Sequence, residues 1–426
     1  MLTERKAPSG TILAQLVKKE KGRKQVSDTK WTHRCDILYV VSGKHSFGFG
    51  FGKREGECVV TVVKKKRLWL LLLYPLTFLI SILAKRSVFF AEEVFAKRIY
   101  KVHSVVVSML TGWIPFSLAE FIAVVGPVVC LVLLIRFLVH MVKDRENRFT
   151  RAMLGLINVA CVAAVILFVY VIGCGVNYHR VSIADYRGIT VRDSSKEELY
   201  GLCTELAEQA ANLREELTEY EDADGVLRLP VSNRELGKAA QAAYETLSAE
   251  LPVLKGNYPA PKCITSSKVF SSMEITGVFT CWTMEANVNV DIPEYSRAST
   301  MAHELAHLHG FMREDEANFL AYLACMSSED PVVRYSGTML ALIYAGNALA
   351  GQDMELYSEL WSKYHPGMVR DFADNSAYWD QYKDTVISET ADKVNDVYLK
   401  ANEQEDGVKS YGRVVDLLLA EYRERR

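Results

Sequence analysis

The sequence lacks the features of a secreted, disulfide-stapled protein. Its first long apolar run begins only at residue 68 and is followed by no small-residue cleavage pattern, which argues against a cleavable signal peptide. It contains nine cysteines, an odd number, and several of them lie inside apolar runs. A disulfide between Cys263 and Cys281 is compatible with the remainder, but neither the count nor the spacing requires one.

The sequence also lacks internal repeats and a large net charge, since the whole chain sums to −2. Its basic excess is confined to residues 1–67, which carry sixteen Lys and Arg and far fewer acidic residues. Because this arm leads directly into an apolar run, its charge favours a membrane surface over a nucleic acid as partner. The arm shows no reliable secondary-structure pattern, and we predict that it is a disordered cytoplasmic segment.

Charge is absent from three stretches. Residues 68–84 and 152–178 contain 17 and 27 consecutive uncharged residues, and the stretch centred on 121–142 is uncharged as far as Ile135. A helix needs roughly 20 apolar residues to cross the hydrocarbon core. The sequence therefore predicts transmembrane helices at 68–84, 118–142 and 152–178, the first being short enough that a buried core helix is its alternative.

The basic residues beside these stretches predict the orientation of the chain. Lys and Arg are concentrated in 64–67, before the first span, and in 143–151, between the second and third. Cytoplasmic loops carry such an excess, so residues from 179 onward are expected outside the cytoplasm of a multi-pass cell-membrane protein. The basic residues of 85–113 weaken this assignment of orientation. The apolar stretch Val105–Leu110 in that loop predicts a helix lying on the outer surface of the membrane.

The region 179–426 has the pattern of a mainly helical domain with one small hairpin. Alternating β-rich residues predict the hairpin strands at Val278–Trp282 and Ala286–Val290. Periodicity and capping residues predict helices around it. These helices are Lys196–Tyr220, Asn233–Glu250, one from Pro293 to Gly310, Glu314–Met326, Val332–Ala350, Met354–Lys363, Asn375–Leu399 and Ser410–Arg426.

The strongest chemical signal is His303-Glu-Leu-Ala-His307. Histidines four residues apart leave the same face of a helix one turn apart, as two ligands of one Zn²⁺ must. Glu304 lies about 100° round the helix, where it can act as the general base on a water molecule without occupying a ligand position. The alternative without a function is a surface helix in which two histidines occur at this spacing by chance.

A catalytic zinc site needs three protein ligands and an open fourth position. The next predicted helix begins with Glu314-Asp315-Glu316, and we predict Glu316 as the third ligand, with Asp315 second and Glu314 third in preference. The alternative for all three is favourable charge at a helix N-terminus. His309 is two residues from His307, leaves the opposite face, and is not predicted to be a ligand.

Two other features could serve a hydrolytic site. A strand of the predicted hairpin could hold an extended peptide by main-chain hydrogen bonds, or the hairpin could be purely structural. Tyr335 follows the metal motif by one predicted helix and could donate a hydrogen bond to an oxyanion, although buried tyrosines are common in cores. Tyr335 is therefore a candidate catalytic residue beside Glu304.

Seven short motifs occur along the chain after the first apolar run. They are Gly256-Asn-Tyr-Pro-Ala-Pro-Lys262, Ile275-Thr-Gly277, Glu285-Ala-Asn-Val-Asn289, His303-Glu-Leu-Ala-His307, Arg313-Glu-Asp-Glu-Ala-Asn-Phe-Leu-Ala321, Arg334-Tyr-Ser336 and Tyr398-Leu-Lys400. Together they resemble a bacterial domain-of-unknown-function family of polytopic membrane proteins with a zincin-like outer domain. The Glu-Ala-Asn element at 316–318 also resembles the second-helix signature of gluzincin-type zinc peptidases, and that resemblance implies Glu316 as the zinc ligand.

The sequence thus predicts a membrane protein with about three N-terminal transmembrane helices and a mainly helical α+β, zincin-like domain over 179–426. The predicted activity is hydrolysis of a peptide bond in an extracytoplasmic or envelope-associated substrate, with Zn²⁺ on His303, His307 and Glu316. A zinc-stabilised binding or sensor protein is the main alternative, and a membrane scaffold with an incidental motif is the other. The expected partners are a peptide or protein substrate and the lipid bilayer, with no nucleic acid.

Overall fold

The computed structural model describes residues 66–402 and 413–426, which form two compact units. One unit holds residues 66–80 and 123–171, and the other holds residues 81–122 and the described part of 172–426. The predicted disorder of the basic arm falls almost wholly on residues 1–65, outside the described residues. We call the second, larger unit the outer unit, after the orientation that the sequence predicts for it.

Among the described residues the fold is mainly helical, with one three-stranded sheet. Short 3₁₀ turns and a π-helical stretch, Phe90–Tyr100, join the regular elements. The α-helices are α1 (Leu73–Arg86), α2 (Lys101–Gly112), α3 (Leu118–Lys143), α4 (Arg148–Gly173), α5 (Ile183–Arg187), α6 (Lys196–Glu216), α7 (Asn233–Glu250), α8 (Ser267–Ser272), α9 (Arg297–Leu308), α10 (Glu314–Met326), α11 (Pro331–Gln352), α12 (Met354–Ser362), α13 (Pro366–Asp380), α14 (Val386–Ala401) and α15 (Arg413–Glu424). The strands are β1 (Lys262–Cys263), β2 (Gly277–Thr280) and β3 (Glu285–Val288).

Three helical segments are long and apolar enough to cross a membrane: Lys66–Arg86, Leu118–Lys143 and Arg148–His179. They coincide with the three predicted spans. Most of their large apolar side chains are exposed, as expected of helices whose surroundings are lipid rather than protein. Within the smaller unit a Cβ on Gly155 would lie 2.8 Å from the Phe137 ring, so glycine lets α3 and α4 pack closely there.

Two long helices of the outer unit, α6 and α7, begin at strong capping sequences. Ser195 and Ser232 each accept a hydrogen bond from the amide three residues on, while Glu198 and Glu235 bond back, which completes a capping box at α6 and at α7. Helices α9, α10 and α11 pack on one another, and α6 packs on α11. This helical core fixes the position of α9, which carries the HExxH motif.

The sheet has the order β1-β3-β2, with β1 parallel and β2 antiparallel to β3. The predicted hairpin is present, although its strands are shorter than predicted and its first begins one residue earlier, at Gly277. Strand β2 forms an edge of this sheet and packs, with β3, against α9. The hairpin therefore lies beside the motif helix.

One expectation for the outer unit requires correction. The predicted helix Asn375–Leu399 is two helices, α13 and α14, because Asp384 adopts a positive φ of 57° and Thr385 starts a new capped helix. The disulfide between Cys263 and Cys281, which the sequence left open, is not formed, since both are free thiols. The last predicted helix begins at Arg413, and residues 403–412 lie outside the described residues.

The segment between the first two membrane helices is built into the outer unit. Tyr100 is buried and its hydroxyl donates to the carbonyls of His307 and Leu308, at 3.0 and 3.1 Å. Gly310, directly after α9, has a φ of 95°, and a Cβ there would meet the Tyr100 ring at 2.8 Å. Both the positive φ and the contact with Tyr100 therefore favour glycine at position 310, at the end of the motif helix.

Candidate functional site

The two histidines of the motif project from one face of α9 toward a common point. Their Nε2 atoms are 3.1 Å apart, and the two rings are perpendicular. His307 is buried, while His303 keeps 14 % of its side chain exposed. The cluster is therefore largely enclosed, and His303 is its most exposed member.

The other nitrogen of each ring is held by an oxygen. His303 Nδ1 lies 2.9 Å from the side-chain oxygen of Asn318, and His307 Nδ1 lies 2.8 Å from the carbonyl oxygen of Phe311. These oxygens can only accept, so both Nδ1 atoms carry the hydrogen when the rings are neutral. Each Nε2 lone pair then faces the shared point, which is the tautomer found in metal-bound histidines.

Glu314 supplies the carboxylate of this cluster. Its oxygens lie 3.2 Å from His303 Nε2 and 3.6 Å from His307 Nε2, and the side chain is buried. One ligand atom from each of the three residues lies within 4.8 Å of the others. Glu314 is the first residue of α10, directly after the turn that joins this helix to α9.

Glu316, the predicted third ligand, is not the residue that the structure brings to the two imidazoles. Its carboxylate accepts hydrogen bonds from the Arg313 guanidinium at 2.6 Å and from the Ile183 amide at 2.8 Å. Asp315, the second choice, pairs with Arg413 at 3.1 Å. The three acidic side chains leave the first turn about 100° apart, so the rotation of α10 decides which one faces α9.

Glu304, the predicted general base, is buried beside β2. A Cβ on Gly277 would lie 2.4 Å from Glu304 Oε1, so the close approach of strand and carboxylate requires glycine there. Glu304 Oε2 has no hydrogen-bond partner among the described residues. Burial raises the pKa of Glu304 to about 8, with the charge of Glu314 adding to the rise and that of His303 opposing it.

The pKa values of the two histidines are shifted in opposite directions. Burial lowers the pKa of His307 to about 4, which keeps its imidazole neutral at pH 7. Burial also disfavours protonated His303, but the hydrogen bond and charge of Glu314 outweigh it and raise the pKa of that ring. A neutral imidazole is the form that binds a metal ion, so a cation would compete with a proton at His303.

The donor atoms of this cluster fit a zinc ion. Zinc binds imidazole nitrogen at about 2.0–2.1 Å and is tetrahedral, which separates two ligand atoms by about 3.3 Å. The two Nε2 atoms, 3.1 Å apart, lie close to this value. Glu314 Oε2 is 3.2 Å from His303 Nε2 and Glu314 Oε1 is 3.6 Å from His307 Nε2, so each imidazole has one carboxylate oxygen near this distance. Two imidazoles and one carboxylate are also a ligand set that suits zinc.

Tyr335, the other predicted catalytic residue, belongs to a different part of the outer unit. It is fully buried in α11, and its hydroxyl donates to Asp371 at 2.7 Å. The same carboxylate oxygen accepts from Arg214 at 2.8 Å. Burial raises the pKa of Tyr335 well above its ordinary value. The Tyr335 hydroxyl is therefore engaged with this ion pair, and its role as a donor to an oxyanion remains a prediction.

Sequence reasoning missed two residues beside the cluster. Asn318 holds His303 from the second turn of α10, where its side-chain oxygen lies 2.9 Å from His303 Nδ1. Tyr344 of α11 lies in the same neighbourhood, since burial and the nearby charge of Glu314 both raise the pKa of its hydroxyl. The spacing from Glu314 to Asn318, four residues on one helix face, is the signal that could have identified Asn318.

His309, which was not predicted to be a ligand, lies among aromatic rings. It stacks on Tyr244 with ring centroids 4.6 Å apart and meets Tyr258 edge-on at 4.4 Å. A small cavity in the outer unit is lined by these three residues, and a wider one by Ser266, Asp291 and their neighbours. Neither of these two cavities is lined by His303, His307 or Glu314.

Comparison with known proteins gives one match. A family model described as a protein of unknown function, DUF3810, matches residues 95–419, and this places the chain in that family. No curated protein and no solved structure matches the chain.

Proposed function

Since this chain belongs to the DUF3810 family of proteins of unknown function, we propose its function from the site alone: it is a membrane-anchored zinc metallopeptidase with a zincin-like outer domain. The observation that carries the proposal is the convergence of His303 Nε2, His307 Nε2 and the Glu314 carboxylate within 4.8 Å. We propose Glu314, in place of Glu316, as the third ligand. The basic flanks of the spans support an orientation with this domain outside the cytoplasm.

The chain's own residues supply the remaining requirements of peptide hydrolysis. When bound, zinc would lower the pKa of a water molecule and polarise a peptide carbonyl. Glu304 would accept the proton of the attacking water and deliver it to the amine that leaves. Asn318 and the Phe311 carbonyl would orient the two imidazoles through their Nδ1 hydrogens.

The edge strand supports a peptide as the substrate class. Strand β2 is bonded on one side only, to β3, within the described sheet, and Gly277 brings it against Glu304. An extended peptide can align with such an edge by main-chain hydrogen bonds. The scissile carbonyl would then lie beside both the base and the imidazoles.

The test uses the full-length protein, purified in detergent, with metal analysis and a mixture of fluorogenic peptides. Wild type should hold about one zinc and cleave at least one peptide, while Glu304→Gln should retain zinc and lose about 10²–10⁴-fold in turnover. His303→Ala and Glu314→Gln should lose the metal. Glu316→Gln, the matched control, should retain it.

The possible outcomes separate the two main functions. Zinc in wild type with no cleavage of any peptide would favour a zinc-stabilised binding or sensor protein. Full turnover in Glu304→Gln would reject the assigned base. Wild-type protein with no stoichiometric metal would reject both functions.

A further inference from the structure

Helix α2, Lys101–Gly112, has its polar and apolar faces reversed relative to a helix of a soluble domain. Ser104 and Ser108 are completely buried, while Val102, Val106 and Leu110 are exposed by 51–65 %. A surface helix in water normally turns its apolar stripe to the core and its polar side chains outward. The medium outside this helix should therefore be apolar.

The buried face of α2 is fitted to the outer unit by small and polar groups. Ser104 Oγ lies 3.0 Å from the Tyr258 hydroxyl, and Lys262 donates to the carbonyl of Thr111 at 2.8 Å. A Cβ on Gly112 would lie 2.9 Å from the side chain of Pro259, so the helix packs there at close range. These contacts fix the rotation of α2 about its axis. Its apolar face must therefore point away from the outer unit.

The exposed residues form one continuous stripe. Ile99, Val102, Val106, Leu110 and Trp113 follow one another at intervals of three and four, so they share one side of the helical segment. Trp113, at the end of the stripe, is 84 % exposed. Trp is enriched where a protein meets the interface between lipid and water.

Chain connectivity favours a lipid bilayer as the occupant of this face. The segment is preceded by the membrane-length helix Lys66–Arg86 and followed by Leu118–Lys143. A segment between two consecutive spans has both ends at one surface of the same bilayer. Only five residues separate α2 from the second of these helices, so α2 lies within reach of that surface.

We propose that α2 lies in the membrane interface, with the stripe of Ile99, Val102, Val106, Leu110 and Trp113 among the lipid acyl chains. The same segment holds the motif helix, since Tyr100 bonds to the carbonyls of His307 and Leu308. Helix α2 would thus bind the bilayer on its apolar face and keep the candidate metal site close to the bilayer surface. This inference does not depend on whether the site is catalytic.

The test places a nitroxide, attached to genetically encoded p-acetylphenylalanine, at single positions of the full-length protein in lipid nanodiscs. The positions are Val102, Val106 and Leu110, and the matched controls are Val269 and Val386, exposed valines of the outer unit. Collisions of the label with oxygen, which concentrates in lipid, and with a water-soluble nickel complex are measured by electron paramagnetic resonance.

Labels on the stripe should show more frequent oxygen collisions and less frequent nickel collisions than both control labels. Nickel collisions equal to those of the controls would mean that the stripe faces water and would overturn the proposal. Protection from both oxygen and nickel would mean that protein, either a second copy or another chain, covers the stripe, and would also overturn it.

Discussion

Two buried clusters of the outer unit differ in the partners that surround their carboxylates. In the first, Glu92 accepts from Arg180 through both oxygens, and also from the Val181 amide and the Tyr186 hydroxyl. The remaining Arg180 nitrogen donates to the Gly310 carbonyl at 3.2 Å. In the second, His303, His307 and Glu314 direct two nitrogen lone pairs and a carboxylate at one point.

The difference separates a structural cluster from one suited to a ligand. A buried charge is tolerated when its partners satisfy it, and the Glu92–Arg180 pair meets that condition. Two neutral imidazole lone pairs at 3.1 Å repel each other unless a proton or a cation lies between them. The first cluster is complete with protein atoms alone, whereas the second is satisfied either by a proton on His303, which Glu314 favours, or by a cation.

The largest effect on stability is expected from Glu92→Gln. Its side chain and that of Arg180 are only 3 % and 2 % exposed, and removing one partner of such a pair costs about 3–5 kcal/mol because the other charge stays buried. Thermal unfolding of the full-length protein in detergent should reveal this loss. Glu93→Gln is the matched control, since Glu93 is 43 % exposed and its pair with Lys97 is worth at most about 1 kcal/mol.

The comparison predicts the opposite response at Glu314. In the presence of a chelator, Glu314→Gln should change the unfolding temperature far less than Glu92→Gln, since His303 can release its proton when Glu314 is replaced, whereas the buried Arg180 cannot. If both substitutions destabilise equally without metal, the distinction between the two clusters fails.

A smaller effect is expected at Asn318, which orients His303 through Nδ1. Loss of such a supporting group typically costs about 10–100-fold in metal affinity. Asn318→Ala should therefore lower zinc affinity by that factor in competition with a chelating dye. Asn347→Ala, at an exposed position of α11, is the control and should leave the affinity unchanged. Equal affinities in the two variants would remove Asn318 from the site.

The smallest effect is expected from Tyr335→Phe. The substitution removes one hydrogen bond to the buried carboxylate of Asp371, which should cost about 1–2 kcal/mol of stability. Zinc content and peptide turnover should remain at wild-type values. A loss of turnover without a loss of stability would restore Tyr335 to the catalytic role that its position in the sequence suggested.

The local features of the fold could be predicted from the sequence because they depend on residues that are close together along the chain. The length of the apolar runs predicts the three membrane-length helices, and Ser195 with Glu198 predicts the start of α6. The pairing of the histidines also follows from one helix, since a spacing of four residues suffices. The break between α13 and α14 was missed because it depends on a single positive φ at Asp384.

The third member of the cluster depends on information from outside its own helix. Glu314, Asp315 and Glu316 are equivalent in composition and all lie in the first turn of α10. Their roles are decided by Arg413, Arg313 and Ile183, which bind Asp315 and Glu316 and leave Glu314 to the imidazoles. The same is true of Tyr335, whose partner Asp371 lies 36 residues away along the chain.

By itself the sequence determined three membrane-length helices, a mainly helical outer unit with a small sheet, and two histidines on one helical face. Each of these rests on periodicity or length within a short stretch of chain. The tertiary structure decided that Glu314 completes the cluster, that Tyr335 does not contribute to it, and that α2 turns its apolar face outward. Those features depend on how each helix is rotated against its neighbours, and that rotation is fixed by contacts between residues far apart in sequence.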